Sequence, residues 1–178
     1  EQLAEHSNFI ETSFLLIHGH LPNQSELDYF KYHVTHHSMV HESIKNLYDG
    51  FPNNPHPMAV CSAIVGSLST FYQDQLNIQN EREVEITIHR LLAKLPTIAA
   101  YSYKKSIGQP FSYPQNALSY TENLLHMMFS NPCEDYEVDP LVAKVLDTLL
   151  ILHADHEQNC STSTVRLVGS SRCNLYSS

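Results

Sequence analysis

Apolar residues recur every three or four positions along most of this chain, and Gly and Pro interrupt the pattern at intervals. In one such stretch Leu27, Phe30 and Val34 fall on the same face of a helix. The alternation of apolar and polar residues that is typical of a half-buried strand is absent from the sequence, and so is any internal repeat. The pattern therefore predicts an all-α fold.

The interruptions divide the chain into successive helices. The first predicted helix ends before Gly19 and Pro22. The second begins after Asn23, with Ser25 as its cap. Pro96 should interrupt the longest helix, because proline lacks the N–H that an interior position donates. The predicted helices cover residues 1–17, a segment that starts after 23, and residues 40–47, 57–72, 81–105, 117–130, 140–153 and 161–168, and residues 108–116 form a predicted loop.

Composition limits the classes of function. The 178 residues are 42% hydrophobic and 16% charged, which is the balance of a folded chain and not of a disordered one. Ten Lys and Arg against 19 Asp and Glu give a net charge of −9, which argues against nucleic-acid binding. No apolar run approaches the roughly 20 residues of a membrane helix. Residues 1–8 also lack the features of a signal peptide, so we expect a cytoplasmic protein.

Several common sites are missing from the sequence. The five Gly residues are too far apart to form a glycine-rich phosphate loop. The four cysteines show no C-x-x-C pairing, so we expect free thiols and neither a zinc knuckle nor a redox motif. The chain begins inside a helical pattern without Met and stops soon after an apolar stretch. We therefore expect it to be an excerpt from a longer protein.

Twelve histidines are a high number for this length, and two groups of them stand out. In the first group, around His36, the side chains of His37 and His41 are four residues apart and could share a helical face as metal ligands. The alternative is that they lie on a polar surface or at a helix junction. Neither an HExxH motif nor a companion Cys accompanies them, so the sequence does not favour a metal site.

The second group follows an apolar stretch that ends at Leu152. It contains His153, Asp155 and His156, so imidazoles and a carboxylate lie where a buried helix reaches the surface. A carboxylate there can fix the tautomer of an imidazole or keep it protonated, and a protonated His can bind an anionic substrate. A polar helix terminus is the alternative, and the spacing alone favours that alternative.

The sequence of the second group, from Leu152 to Asn159 (LHADHEQN), resembles the oxaloacetate-side motif of citrate synthases, and the resemblance continues through CSTSTVR at 160–166. Four further stretches are similar to bacterial citrate synthases in the same order, so the resemblance covers essentially the whole chain. These stretches are HPMAV at 56–60, RLLAKLPT at 90–97, SIGQPF at 106–111 and NPCEDYEV at 131–138.

The resemblance implies an enzyme that condenses acetyl-CoA with oxaloacetate and water to give citrate and CoA. It implies that residues 1–178 are part of a helical large domain, that a smaller domain closes over the substrate, and that the protein is a homodimer or a hexamer. Under this resemblance His156 contacts oxaloacetate, and His153, Asp155 and Asn159 shape its pocket. Acetyl-CoA is then a substrate, and no cofactor is expected.

The resemblance also implies that part of the catalytic machinery lies elsewhere. The family positions of the two catalytic His and the catalytic Asp, and the arginines that bind the substrate, fall after Ser178. The short β-rich portion of the family would precede Glu1. We therefore expect this chain to contribute to a pocket but not to catalyse by itself.

A regulatory site is implied as well, because many Gram-negative members of the family are inhibited by NADH. The matching positions are His37, Ser38 (a mild change), Tyr72, Arg90, Lys94, Asn116 and Cys133, whereas His36 stands where an Arg is usual. Arg90 and Lys94 are four residues apart and could bind phosphates together. A solvated basic face is the alternative for these two residues.

Three other functions stay open on the sequence. Methylcitrate synthase would use propionyl-CoA with the same pocket. A catalytically silent assembly module is suggested by the predicted helix over 57–72, whose small residues would let another helix approach closely: Ala59, Ser62, Ala63, Gly66, Ser67 and Ser69. The last alternative is a helical bundle that binds a metal at the two histidine groups.

Overall fold

A computed structural model describes residues 2–52, 54–155 and 160–178 of the chain. This part contains nine α-helices and two short 3-10 turns, Leu68–Thr70 and Gln73–Gln75. Its only extended pairing is the isolated bridge between Asn131 and Glu134. The all-α prediction is therefore confirmed. The helices are α1 (Gln2–His6), α2 (Phe9–His18), α3 (Gln24–His36), α4 (Ile44–Asp49), α5 (Pro57–Ser67), α6 (Glu81–Ser106), α7 (Tyr120–Phe129), α8 (Pro140–His153) and α9 (Cys160–Gly169).

Helix α6 is the longest helix and packs against α3, α5 and α7. Pro96 lies inside it without breaking it, so the predicted interruption is wrong. The carbonyl group that the proline leaves without a helical donor accepts instead from a side chain of α7, so this carbonyl keeps a partner.

Two apolar cores flank α6. One lies between α2, α3 and α6 and includes Leu27, Phe30 and Val34, the three residues that the sequence placed on one face. The other joins α4, α5 and α6 and receives Tyr176 from the end of the chain. Both cores therefore depend on α6, and any site on this helix is held from two sides.

The first predicted helix is two helices in the structure. Asn8 has an extended backbone and accepts a hydrogen bond from the amide of Glu11 at 3.0 Å, which makes it the N-cap of α2. Helix α2 then ends at Gly19, as predicted, in a left-handed conformation with φ of 80° that favours glycine. Helix α3 is capped by Asn23 and not by the predicted Ser25.

The remaining boundaries differ modestly from the predictions. Helices α4 and α7 begin later than predicted, at Ile44 and Tyr120, and Ser119 caps α7 by accepting from the amide of Glu122. Helix α5 ends at Ser67 and continues only as a 3-10 turn. The bounds of α8 agree with the sequence prediction. Among the described residues, no helix is both long and apolar enough to cross a membrane.

Candidate functional site

The buried side chain of Lys94 fixes the segment between α3 and α4. Its Nζ atom donates hydrogen bonds of 2.6 Å to the carbonyl oxygens of His37 and Met39, although the residue is only 3% exposed. Burial, and secondarily the charge of Arg90, lower the pKa of Lys94 to about 8. Three residues further along α6, the hydroxyl of Thr97 donates to the carbonyl oxygen of Ser38 at 2.8 Å. Helix α6 therefore holds residues 37–39 by their backbone.

The guanidinium of Arg90 lies on the same side of α6. Its Cζ atom is 4.1 Å from the centroid of the Tyr72 ring, and its Nη1 atom donates to Oε1 of Gln75. Lys94 is also near this ring, with Nζ 5.8 Å from its centroid. A recess of about 160 Å³ opens here, lined by Phe71, Tyr72, Gln73, Asp74, Gln75 and Arg90. The structure thus brings together an aromatic face and two cations, a combination suited to a ligand that carries both a ring and phosphates.

The histidines at the end of α3 have different surroundings. The exposed ring of His36 stacks on Tyr32 at 4.0 Å, and its Nδ1 atom bonds to the Tyr32 carbonyl oxygen at 2.8 Å. The half-buried ring of His37 donates from Nδ1 to the carbonyl oxygen of His33 at 2.7 Å. Burial is the largest influence on His37 and lowers its pKa, with Lys94 nearby acting in the same direction. Neither ring is bonded to Arg90.

Ser38 faces away from Arg90, toward a second cavity. Its hydroxyl donates to the carbonyl oxygen of Thr35 at 2.8 Å. The cavity has a volume of about 450 Å³ and lies between α3, α6, α7 and α8, with Ser38, Ala93 and Ala117 among its lining residues. Ser38 therefore lines this cavity, whereas the described lining of the recess at Arg90 contains none of residues 37–39.

Two predicted members of the regulatory site lie apart from the others. Asn116 is exposed in the loop before α7, beside the cavity residue Ala117. Cys133 is exposed in the turn that follows α7, and its amide donates to Oδ1 of Asn131 at 2.9 Å. Within the described ranges, no hydrogen bond, ion pair or ring contact joins either residue to Arg90. The structure therefore assembles Tyr72, Arg90 and Lys94 and does not bring Asn116 and Cys133 to them.

The segment with the predicted substrate residues begins at the carboxyl end of α8. His153 is exposed in the last turn of this helix, and its Nδ1 atom lies 2.7 Å from the carbonyl oxygen of Leu149. Asp155 is exposed two residues further on. His156 and Asn159 lie outside the described residues. The sequence predicted that this segment follows a buried helix, but α8 buries Ala143 and Ile151 while Leu149 and Leu152 are about half exposed. The predicted burial of this helix is therefore wrong for the described chain.

Comparisons with known proteins agree on one family. The family model described as "Citrate synthase, C-terminal domain" matches residues 1–178. Citrate synthase 1 of Mycobacterium tuberculosis is 57% identical over 178 residues, which are 100% of this chain and 41% of that protein. The chain belongs to the citrate synthase family.

Solved structures support the same assignment for the fold. Citrate synthase from Pyrobaculum aerophilum superposes with a TM-score of 0.86 and 32% identity, over 99% of this chain and 44% of the other. Citrate synthase from Thermotoga maritima gives a TM-score of 0.78 and 30% identity, over 99% and 44%. The chain therefore spans less than half the length of the citrate synthases that it matches.

Metal binding finds no geometric support in this citrate synthase chain. Across residues 2–52, 54–155 and 160–178, no group of three or more His, Cys, Asp or Glu side chains is arranged to hold a metal ion. His41, one of the two candidate ligands of the first group, accepts a hydrogen bond from the amide of Ser43 and packs on Phe71 with ring centroids 5.1 Å apart. The four cysteines are free thiols in the structure, as the sequence predicted.

One buried cation, Lys104, was not predicted from the sequence. It is fully buried in α6 and donates to the carbonyl oxygen of Ser130 at 2.5 Å and to Oε1 of Gln109 at 2.7 Å. The helical spacing carried a usable signal, because Lys94, Thr97, Tyr101 and Lys104 are three or four residues apart along one face. A lysine that continues a buried face in this way is a candidate for carbonyl binding.

Proposed function

We propose that the polypeptide to which this chain belongs is a citrate synthase that condenses acetyl-CoA with oxaloacetate and water to give citrate and CoA. The observation that carries the proposal is the family match over all 178 residues, together with 57% identity to a named citrate synthase over the same length. The all-α fold, which superposes on two solved citrate synthases, supports it.

Within that enzyme we assign the segment after α8 to the oxaloacetate pocket. His156 is the proposed contact, with His153, Asp155 and Asn159 around it. Oxaloacetate carries two carboxylates and a carbonyl, so it requires several donors or cations arranged around it. The removal of a proton from the weakly acidic methyl group of acetyl-CoA requires general acid–base groups, which the resemblance places outside this chain.

The test of the main proposal is CoA release by the full-length protein. Free thiol should form from acetyl-CoA only when oxaloacetate is present. Propionyl-CoA, offered in place of acetyl-CoA, separates a citrate synthase from a methylcitrate synthase. Full-length protein that releases no CoA with either thioester would contradict the proposal and favour the silent assembly module.

His156→Ala tests the assignment of the oxaloacetate contact. We expect a higher KM for oxaloacetate and a nearly unchanged KM for acetyl-CoA. His56→Ala is the control, because His56 caps α5 far along the chain from this segment and accepts from the amide of Met58. Equal kinetics of the His156 variant and the unchanged enzyme would contradict its role.

We further propose that the recess at Arg90 is an allosteric site for NADH. The support is that two cations on one face of α6, Arg90 and Lys94, lie beside the ring of Tyr72. The two cations differ in availability. Lys94 is buried, does not line the recess and already uses two of its three N–H groups on the carbonyls of His37 and Met39, so it contributes its positive charge and not a direct contact. Arg90 keeps most of its five donors for phosphate.

Binding of NADH to the full-length protein tests the regulatory proposal. Arg90→Gln should weaken binding by about tenfold, since one charge-assisted bidentate contact is worth about 1.4 kcal/mol or more. Arg82→Gln is a matched control, because this exposed Arg lies in the first turn of the same helix. If the unchanged enzyme binds no NADH, the regulatory proposal is wrong while the condensation proposal stands on its own assay.

Assembly and location complete the proposal. By resemblance we assign a homodimer or a hexamer and a cytoplasmic location, with neither nucleic acid nor a membrane as partner. Sedimentation of the full-length protein distinguishes the two assemblies. NADH regulation, if present, should accompany the hexamer.

A further inference from the structure

Three imidazole rings stack where α3 packs against α6. The rings of His33 and His89 are 5.3 Å apart and 11° from parallel, and the ring of His37 lies 5.7 Å from His33 at an angle of 20°. The edge of Phe30 closes the far side of His89, with centroids 5.1 Å apart. The contact between the two helices is therefore made of flat side chains that can each gain a proton near neutrality.

The stack is partly buried, because the ring of His89 is buried whereas those of His33 and His37 are half-buried. His89 is only 3% exposed. The Nδ1 atom of His33 is buried and has no hydrogen-bond partner. In the described part of the chain, no salt bridge connects any of the three rings to a carboxylate. A proton added to one of these rings would create a buried cation that has no acceptor. Such a cation generally costs several kcal/mol.

Charged groups around the stack act in both directions, the cations against protonation and a carboxylate in favour of it. On α6, Arg90 and Lys94 follow His89, and their positive charges act against protonation of His37. Glu85, one turn before His89, is the nearest carboxylate on that helix and shares a groove with it. The titratable and charged groups that face the stack are His18 on α2, Tyr29 and Tyr32 on α3, Glu85, Arg90 and Lys94 on α6, and Tyr72 before α6.

We propose that the stack of His33, His37 and His89 is a proton-sensitive joint between α3 and α6, packed while its rings are neutral and opened when one of them is protonated. Burial first, and then the neighbouring histidines, lower the pKa of His89 to about 4. The folded state therefore binds this proton more weakly than an opened state, in which the pKa returns toward 6.5. The packed form is fully favoured above pH 6.5 and loses its advantage as the pH falls toward 4.

The state of the joint affects segment 37–39, whose backbone is bonded to α6. The ring of His37 donates to the carbonyl oxygen of His33, and the carbonyl of His37 accepts from Lys94. Opening of the stack removes the packing that keeps His37 in place, and so weakens the attachment of segment 37–39 to α6. Acidification is therefore expected to loosen the end of α3 and the first half of α6 together.

Hydrogen exchange read by mass spectrometry tests this in the full-length protein. With His89 at a pKa of about 4 when packed and 6.5 when open, the opening constant of peptides from 24–37 and 81–94 should rise about 30-fold from about pH 7.5 to about pH 5, after correction for intrinsic exchange. Peptides from α8, which contributes no ring to the stack, should show no such rise.

His89→Phe should remove most of the increase, because phenylalanine keeps a flat ring in the stack and binds no proton. His33→Phe should reduce the increase in the same peptides and gives a second test if the first variant folds poorly. His6→Phe is the control, because His6 lies on the exposed helix α1 away from the stack. An unchanged rise in both stack variants, or an equal loss in the control, would overturn the proposal.

Discussion

The hydroxyl group of Tyr120 donates a 3.0 Å hydrogen bond to the carbonyl oxygen of Leu92, at the N-terminal side of Pro96 in helix α6. In a regular helix the amide of residue 96 would occupy that carbonyl, and proline has no amide hydrogen. The side chain of Tyr120 thus supplies the donor that Pro96 withholds. Its burial raises the pKa of the phenol well above its usual value of 10, so the hydroxyl keeps its proton.

A double-mutant cycle tests this compensation. Tyr120→Phe should lower the free energy of unfolding by about 1 to 2 kcal/mol, because it leaves a buried carbonyl without a partner. In a Pro96→Ala background the new amide can take that carbonyl, so the same change should cost about 1 kcal/mol less. Urea unfolding of the four proteins measures the difference. Additive effects would show that Leu92 does not couple the two residues.

Lys104 gives the second prediction. Lys104→Met preserves the length of the side chain but leaves Oε1 of Gln109 and the carbonyl of Ser130 with one donor fewer, so we expect a loss of about 1 to 3 kcal/mol in stability. Lys105→Met is the control on the next residue, because Lys105 forms an exposed ion pair with Asp49 at 2.6 Å and should change stability by less than about 1 kcal/mol. Equal losses would refute the structural role of the buried lysine.

The caps give the third prediction. Asn23→Ala should destabilise the protein by about 1 kcal/mol, because Asn23 and Glu26 form both bonds of a capping box, at 3.0 and 2.8 Å. Ser25→Ala should be nearly neutral, since Ser25 is exposed inside the first turn. Thermal unfolding of the two variants compares them directly. A larger effect at Ser25 would show that Ser25, as predicted from the sequence, caps the helix.

These cases show which parts of the fold the sequence determines. Helical periodicity and the Gly and Pro breaks give the all-α class, the apolar face of α3 and the bounds of α8, because each of these depends on neighbouring residues. The choice between Asn23 and Ser25 depends on which backbone is extended, and both residue types make good caps. The continuity of α6 depends on Tyr120, which is 24 residues beyond Pro96 and is not signalled by any local pattern.

The candidate site was predictable to a similar extent. Tyr72 and Arg90, which the family resemblance selected, do meet in the structure. The actual use of Lys94 was not foreseen, because its bonds go to backbone carbonyls more than 50 residues earlier, and residue types do not reveal such partners. Asn116 and Cys133 match regulatory positions of the family, but in the described structure neither is in contact with Arg90.

The last prediction concerns alkaline pH and the buried residue Tyr101. Burial raises its pKa to about 12, so its folded-state pKa lies above the value of 10 expected when unfolded. The contribution of Tyr101 to the free energy of unfolding is therefore complete below pH 10. It is lost as the pH rises toward 12, by up to about 3 kcal/mol. Tyr101→Phe should flatten the decline in stability over this range, as measured by urea unfolding at several pH values. Tyr32→Phe, at a residue that is 58% exposed, should leave the decline unchanged, and an equal flattening there would contradict the assignment.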